Sequence, residues 1–316
     1  MIAYVVRRAL VAVLLVFAVS SASLVLTRLA PGDFVTESLG TLASREAMER
    51  MRARYGLNKS IAQQYRDWVL AAVRLDFGYS LQYDRPVREL IPERAANTAI
   101  LAVTALALAT AIGLPLGVLS GSRRSGAFAA LVRAASVVLL SMPPLLTSLF
   151  LVFVAARTGW FPIGGMSSAA VTSGGALLDL VHHLIVPAAA VGLPLAAMLE
   201  RLQAQATTDV IGEPFVLATL ARGVPYARVV WRDALKPALR PVASVYGLIV
   251  GTLLSGSFAV EVITAWPGLG KLMLDALRAR DVFLVAGCAG AGAIFLAFGT
   301  LLSDLMLGLV DPRARE

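Results

Sequence analysis

Glu213-Pro214-Phe215-Val216-Leu217-Ala218-Thr219-Leu220-Ala221-Arg222-Gly223-Val224-Pro225-Tyr226-Ala227-Arg228-Val229-Val230-Trp231-Arg232-Asp233-Ala234-Leu235-Lys236-Pro237 lies between two long apolar runs and is like neither. It is too polar to cross a bilayer and too rich in helix formers to be a plain loop. Gly223 suits the end of one short helix, Pro225 the start of a second, and Pro237 and Pro241 the entry to the next apolar run. Two short helices meeting at a glycine elbow are therefore predicted. Phe215, Val216 and Leu220 on one limb, and Tyr226, Val229, Val230 and Trp231 on the other, are expected to be apolar knobs that a soluble partner grips.

The surrounding composition says what such an elbow projects from. Of 316 residues, 58% are hydrophobic and only 15% charged, with mean hydropathy +0.77; soluble domains run to about 45–50% and about 25%. A soluble fold of this size lacks the polar skin to hide so much apolar surface. Cys288 is the sole cysteine, which rules out an intrachain disulfide and a cysteine-based metal cluster. The net charge of +8 is carried almost wholly by Arg, the lysines being Lys59, Lys236 and Lys271. These charges lie between apolar runs, where they act as topology signals and do not point to nucleic acid. The chain reads as an all-α integral membrane protein.

A membrane helix needs about 20 apolar residues. Six segments qualify: Ala9 to Leu29, Thr98 to Leu119, Ala127 to Ala156 broken at Met142-Pro143-Pro144, His183 to Leu199, Val242 to Val262, and Val282 to Leu307. The first is longer than a cleavable signal core, so it is expected to stay as an anchor. Arg7 and Arg8, then Arg123, Arg124 and Arg133, then Arg201, Arg222, Arg228, Arg232, Lys236 and Arg240, then Arg313 and Arg315 all fall on one side of six spans. The positive-inside rule makes that side the cytoplasm, with both termini and the elbow in it. The resulting division is an N-terminal span (1–30), an extracytoplasmic loop (31–97) and a five-helix core (98–316) containing the cytoplasmic segment 200–241. Within the loop, Ile61, Tyr65, Trp68, Val69, Ala72 and Leu75 recur at helical spacing, predicting an amphipathic helix that packs over the ends of its own spans or meets the membrane surface or a partner. Asp76 to Ser80 and Arg85 to Val87 then read as a turn-rich return.

The inventory of chemistry is sparse. No G-x-x-x-x-G-K-[ST] loop, H-E-x-x-H or G-x-S-x-G occurs. His182 and His183 are adjacent and point apart on a helix start, which suits an interface and not a shared metal. Glu261 and Asp304 are expected near the membrane interfaces, and no file of carboxylates crosses the middle, so a proton relay is not indicated. Gly113 and Gly117, Gly247 and Gly251, and Gly287, Gly290 and Gly292 mark faces where helices approach closely. Pro115, Pro143-Pro144, Pro187 and Pro194 interrupt the backbone ladder and mark a kink or a helix lining a pathway.

With these residues in view, the chain resembles the permeases of ATP-binding-cassette importers. Glu213, Ala218, Ala221, Gly223, Ala234, Leu235, Leu239 and Pro241 occupy the pattern of that superfamily's cytoplasmic coupling loop. The general E-A-A triplet is not intact, and Asp233 stands where the dipeptide branch usually has histidine. Leu29-Ala30-Pro31-Gly32-Asp33, Asp76-Phe77-Gly78-Tyr79-Ser80, Gly159-Trp160-Phe161-Pro162, Ala265-Trp266-Pro267-Gly268-Leu269-Gly270 and Leu309-Val310-Asp311-Pro312-Arg313 look like the dipeptide/oligopeptide/nickel branch, first-permease (B-type) subunit.

The resemblance implies a type I importer permease fold in a bacterial inner membrane. It implies a second homologous permease, two cytoplasmic ATPase subunits and an extracytoplasmic substrate-binding protein as partners. ATP and Mg belong to the ATPases, and this chain carries no cofactor or metal. Glu213, Phe215, Ala218, Ala221, Gly223, Tyr226, Ala234 and Leu235 become ATPase-coupling candidates; Met142, Pro143, Ser255, Ser257 and Glu261 become pathway candidates. Dipeptides or short oligopeptides are the expected cargo, with nickel complexes, glutathione and haem as alternatives. A stand-alone channel or secondary carrier, or an intramembrane enzyme, are the rival readings; the enzyme would need a nucleophile and base at membrane depth, and the sequence supplies none.

Overall fold

The computed structural model describes residues 2–39, 44–123, 126–168 and 175–310, without the side chains of residues 2–5, 39, 251, 252, 254–256 and 302–310. The first part of the chain forms α1 (Ile2–Leu29), α2 (Phe34–Leu39), α3 (Arg45–Arg54), α4 (Ile61–Ala72) and a two-residue ladder of β1 (Tyr79–Ser80) and β2 (Arg85–Pro86). There follow α5 (Val87–Ser122), α6 (Ala127–Ser141), α7 (Pro144–Thr158), α8 (Ala176–Ile211) and α9 (Pro214–Ala221). The rest is α10 (Tyr226–Arg228), a π-helical turn (Val229–Ala234), α11 (Leu235–Ile263), α12 (Leu269–Arg278) and α13 (Val282–Val310).

Among the described residues four helices are long and apolar enough to cross a bilayer: Val6–Leu29, Val87–Ser122, Ala176–Ile211 and Val282–Leu301. A fifth results if α6 and α7 count as one span, but their axes meet at 106°. The break falls where the sequence places it and is far sharper than a kink. Pro143 and Pro144 both lack the N–H that would continue the ladder, and each forces its predecessor out of the helical region. Met142 accordingly sits at φ −96°, ψ 113°, and Pro143 at ψ 147°. Pro115, Pro187 and Pro194 leave α5 and α8 continuous. The fifth expected span falls on α11, part of whose side chains lie outside the described ones, as do Arg124, Arg313 and Arg315 and the side chain of Asp304.

The chain divides into two compact units, Met1–Ala99 with Pro267–Ala297, and Ile100–Trp266 with Phe298–Glu316. In the first unit α4 begins with a capping box between Ser60 and Gln63. It buries Trp68 against Leu24, Val282 and Ala286, and the Tyr65 hydroxyl donates to Ser21 Oγ at 3.1 Å. Leu75, expected on this buried face, is 71% exposed, because the chain turns through a left-handed residue there, φ +60°. The expected irregular return is the small hairpin, pinned by a wholly buried carboxylate. Asp281 accepts the Ser80 hydroxyl at 2.7 Å, the Gln82 N–H at 3.1 Å and, at the start of α13, the Leu284 N–H at 3.2 Å. Helix α12, which the sequence reading does not anticipate, packs Leu272 and Ala276 against Val87, Leu90, Leu284 and Cys288. Asp33 receives the Arg52 guanidinium at 2.6 Å and both Thr36 donors, tying α2 to α3. Partial burial opposes ionisation of Asp33, yet these donors outweigh it and hold the carboxyl at about 2.

The second unit is built on α5, α8 and α11, whose shared core includes Ala105, Ala109, Val191, Leu199, Ile249, Leu253 and Val260. Gly113, Gly117 and Gly121 form a stripe on α5 that admits the α8 backbone. A Cβ at Gly117 would stand 2.6 Å from Gln203 Cβ and 2.7 Å from the Glu200 carbonyl oxygen.

Two measurements probe this framework. Asp281→Ala strands three donors, at about 1–3 kcal/mol each when buried, and is expected to lower the melting midpoint of purified protein and open the hairpin to protease; an unchanged midpoint contradicts the pinning role. The Asp33 clamp should be fully present above the unfolded carboxylate pKa near 3.8 and be lost as the pH falls through about 2, since the folded value is depressed. Pepsin cleavage within α2–α3 should accordingly be faster in Asp33→Asn than in the parent at mildly acidic pH. The two rates should converge at low pH, and a ratio constant with pH contradicts the clamp.

Candidate functional site

The elbow forms as the sequence leads one to expect, with a core of its own. Glu213 is the N-cap of α9 and Pro214 its first residue, where a missing N–H does no harm. The helix stops at Arg222, and Gly223 reverses the chain at φ +82°, its N–H donating to the Leu220 carbonyl at 2.9 Å. A left-handed residue at a helix end is the position glycine fills most readily. Open space surrounds the point where a Cβ would stand, so conformation and not crowding within this chain selects glycine. Pro225 then caps α10, which widens into the π-helical turn; Leu235 N–H reaches back to the Val230 carbonyl.

Burial sorts the expected knobs into two groups. Val216, Val229 and Ala234 are fully enclosed, with Val210, Ile211, Leu220 and Val224 packed on them, and Val230 is buried as well. These residues hold the limbs together, which corrects the expectation that Val216, Val229 and Val230 face outward. Ala234 likewise positions the elbow and presents no surface. Phe215, Tyr226 and Trp231 are exposed, as is Leu217, which the sequence reading passes over. Its exposure follows from the pattern once Val216 and Thr219 are known to face inward. Glu213, Ala218, Ala221 and Gly223 are exposed and Leu235 half-buried.

Between the limbs runs an open groove of about 740 Å³ lined by Phe215, Ala218, Thr219, Arg222, Arg232, Asp233, Lys236 and Pro237. Three cations and one carboxylate give it a basic, apolar-floored character. The Tyr226 hydroxyl donates to the Ser122 carbonyl at 2.6 Å, and Thr208 Oγ1 donates to the Gly121 carbonyl at 3.0 Å. The elbow is therefore fixed to the C-terminal end of α5, on the side of the α5–α6 connection that carries Arg123.

The pathway candidates divide. Met142 and Pro143 lie at the α6–α7 break, Met142 half-buried and Pro143 exposed. Ser257 and Glu261 are 1% and 0% exposed on α11, so they face the interior of this chain; Glu261 sits at the expected end of the helix but is enclosed and not solvated. The Ser255 side chain lies outside the described residues. Sequence reasoning misses Glu200, placed just beyond the fourth span but in fact well inside α8. Its carboxylate is 1% exposed and accepts hydroxyls from Ser120 on α5 at 2.5 Å and Ser136 on α6 at 2.6 Å. No local pattern announces that cluster, because its members are 64 and 80 residues apart. His182 pairs with the Trp160 carbonyl and His183 with that of Asp179, so the two rings do part, although His183 is buried. Among the described residues no group of three or more His, Cys, Asp or Glu is placed to hold a metal ion.

The elbow is thus small, basic, exposed and internally packed. Comparison with known proteins identifies the family. Residues 113–316 match the family described as binding-protein-dependent transport system inner membrane component, and residues 1–102 match the N-terminal family of the same membrane components. Over 315 residues the chain is 33% identical to the oligopeptide transport system permease protein AppB of Bacillus subtilis (strain 168), covering 99% of each chain. It is 32% identical over 307 residues to the dipeptide transport system permease protein DppB of Escherichia coli (strain K12), covering 90% of this chain and 91% of that one. To the glutathione transport system permease protein GsiC of Shigella flexneri serotype 5b it is 28% identical over 316 residues, 100% of this chain and 99% of the other. The chain therefore belongs to the binding-protein-dependent transport system inner membrane components, as a multi-pass permease of the ATP-binding-cassette class and not an enzyme.

Proposed function

We propose that this chain is one of two permease subunits of a bacterial inner-membrane importer for dipeptides or short oligopeptides. It crosses the membrane six times with both termini cytoplasmic, as a 1–30 anchor, a 31–97 external loop and a 98–316 core. Each permease docks its elbow on one of two ATPases that hold ATP and Mg, and an extracytoplasmic binding protein delivers cargo. The observation that carries this reading is the elbow: an exposed, basic, internally packed pair of helices tied to α5 through Tyr226 and Ser122. The names of AppB and DppB support a peptide cargo, and that of GsiC keeps glutathione as the second reading; nickel complexes and haem remain chemically compatible with the resemblance.

In mechanism, closure of the ATPases on ATP displaces the elbow as a unit, since Val216, Val229 and Ala234 lock α9 to the π turn and to the end of α8. Differential contacts in the two states are what shift the equilibrium. Glu213, Phe215, Ala218, Ala221, Gly223 and Tyr226 form the docking face, and Ala234 and Leu235 its support. Met142 and Pro143, at the 106° break, line the pathway; Ser255, Ser257 and Glu261 shape it from α11.

Asp is among the side chains best tolerated at positive φ, so Gly223→Asp should insert and fold while its carboxylate occupies the space meant for the partner. Peptide uptake by vesicles holding the full importer is expected to fall about tenfold with ATP hydrolysis retained, within the range of coupling free energies between sites. Normal uptake by that variant removes the proposed role. In mild detergent the chain should co-purify with a second permease and two ATPases, whereas unaided transport by the purified chain overturns the importer assignment itself.

A further inference from the structure

The amphipathic helix α4 packs against α1, and its attachments fix where along α1 it lies. Tyr65 bonds to Ser21 and Trp68 packs on Leu24, both on α1, whose apolar span ends at Leu29. Eight residues separate Ser21 from Leu29, about 12 Å along the helix. The same face of α4 meets Val282 and Ala286, in the first turns of α13. Helix α4 thus packs beside the last three turns of the apolar run of α1 and the first turns of α13.

Its opposite face carries Arg66, Leu70 and the C-cap Val73, spaced at i, i+4 and i+7 and so on one side of the helix, and exposed Arg74 and Leu75 follow in the turn. Leu70, Val73 and Leu75 are 61%, 80% and 71% exposed. Leu75 is held outward in a left-handed conformation that a leucine adopts rarely, by bonds from its own N–H to the Ala72 carbonyl and from Asp76 N–H to the Ala71 carbonyl. The nearby acids are already engaged: Asp67 receives Lys59 at 2.8 Å and lies 3.7 Å from Arg66, and Asp76 caps the Gly78 N–H. Arg74 makes no ion pair among the described residues. Leu26 and Leu29, at the end of α1, are exposed as well.

We propose that this face of α4 is a lipid-binding surface: Leu70, Val73 and Leu75 enter the acyl-chain boundary of the leaflet at the C-terminal end of α1, and Arg66 and Arg74 engage anionic phospholipid headgroups. Apolar side chains flanked by arginine at this depth match the physics of interfacial anchors. The proposal needs only that α1 spans the membrane, so it stands or falls independently of the transported cargo.

The test places an environment-sensitive fluorophore at Val73→Cys, and separately at Leu70→Cys, in the full complex; the native Cys288 is buried and does not compete. The complex is reconstituted in vesicles of phosphatidylethanolamine with phosphatidylglycerol. Lipids bearing a nitroxide high on the acyl chain are expected to quench the label about twofold, and aqueous iodide to quench it far less than a label at Glu46→Cys. Nitroxide phosphatidylglycerol should quench more than nitroxide phosphatidylethanolamine, and Arg66→Gln with Arg74→Gln should abolish that preference, each arginine accounting for about a fivefold change in headgroup affinity. Iodide quenching equal to the Glu46→Cys control overturns the proposal. So does shielding from both iodide and lipid, which would mean that protein covers the face, and so does equal quenching by the two lipids.

Discussion

The seam between α5 and α8 carries the rest of the second unit. Without a hydrophobic driving force inside a bilayer, two helices stay together through close packing and internal polar contacts. The Gly113, Gly117 and Gly121 stripe provides the first by admitting the α8 backbone. Glu200 provides the second: a carboxylate on α8 satisfied by one serine on α5 and another on α6. Removing a carboxylate from water is unfavourable unless its lone pairs are met, so the cluster fixes the register of three helices at once. Because α5 is held in this way, its last carbonyls, those of Gly121 and Ser122, are fixed points on which Thr208 and Tyr226 hang the elbow.

The first unit meets the same constraint in another form. Its hairpin is too short to be stable alone. Asp281 makes it part of the fold by accepting from Ser80 and Gln82 while capping α13 through Leu284. In both units, then, a buried acid works as a hub for neutral donors.

The legible parts of the sequence are those set by local physics. The apolar runs of α1, α5, α8 and α13, the Pro143-Pro144 break, the glycine reversal at 223 and the amphipathic helix α4 follow from propensity, ring geometry and periodicity, and recur in the structure. Which limb residues of the elbow face inward was not legible. Val216 and Val229 look as available as Phe215 and Trp231 until the two limbs are folded on each other. Leu75 fits the buried period of α4, but the helix ends at Ala72 and a left-handed turn carries the side chain away. Hydropathy ends the fourth span at Leu199, before the first charge, and leaves Glu200 in the polar segment that follows. The helix in fact continues to Ile211 with that charge enclosed by residues distant in sequence. Boundaries drawn by hydropathy fail where a polar residue finds partners inside the fold.

The geometry of the elbow also constrains how force can pass through it. A flexible loop pushed by a neighbour would absorb the displacement in its own dihedrals. Here the deformable position, Gly223, lies at the tip, while the roots of both limbs share one apolar core with Val210 and Ile211 at the end of α8. The π turn leads without a break into α11, which packs along α8 and α7. A push on Phe215 or Trp231 must therefore move α8 and α11 together or disrupt a core of fully enclosed valines. Packed interfaces of this kind switch between discrete arrangements and do not stretch. Among the described residues no atom lies within 4 Å of where a Cβ at Gly223 would stand, so on the coupling role proposed above a docked surface meets an open tip whose backbone is held by its bond to Leu220.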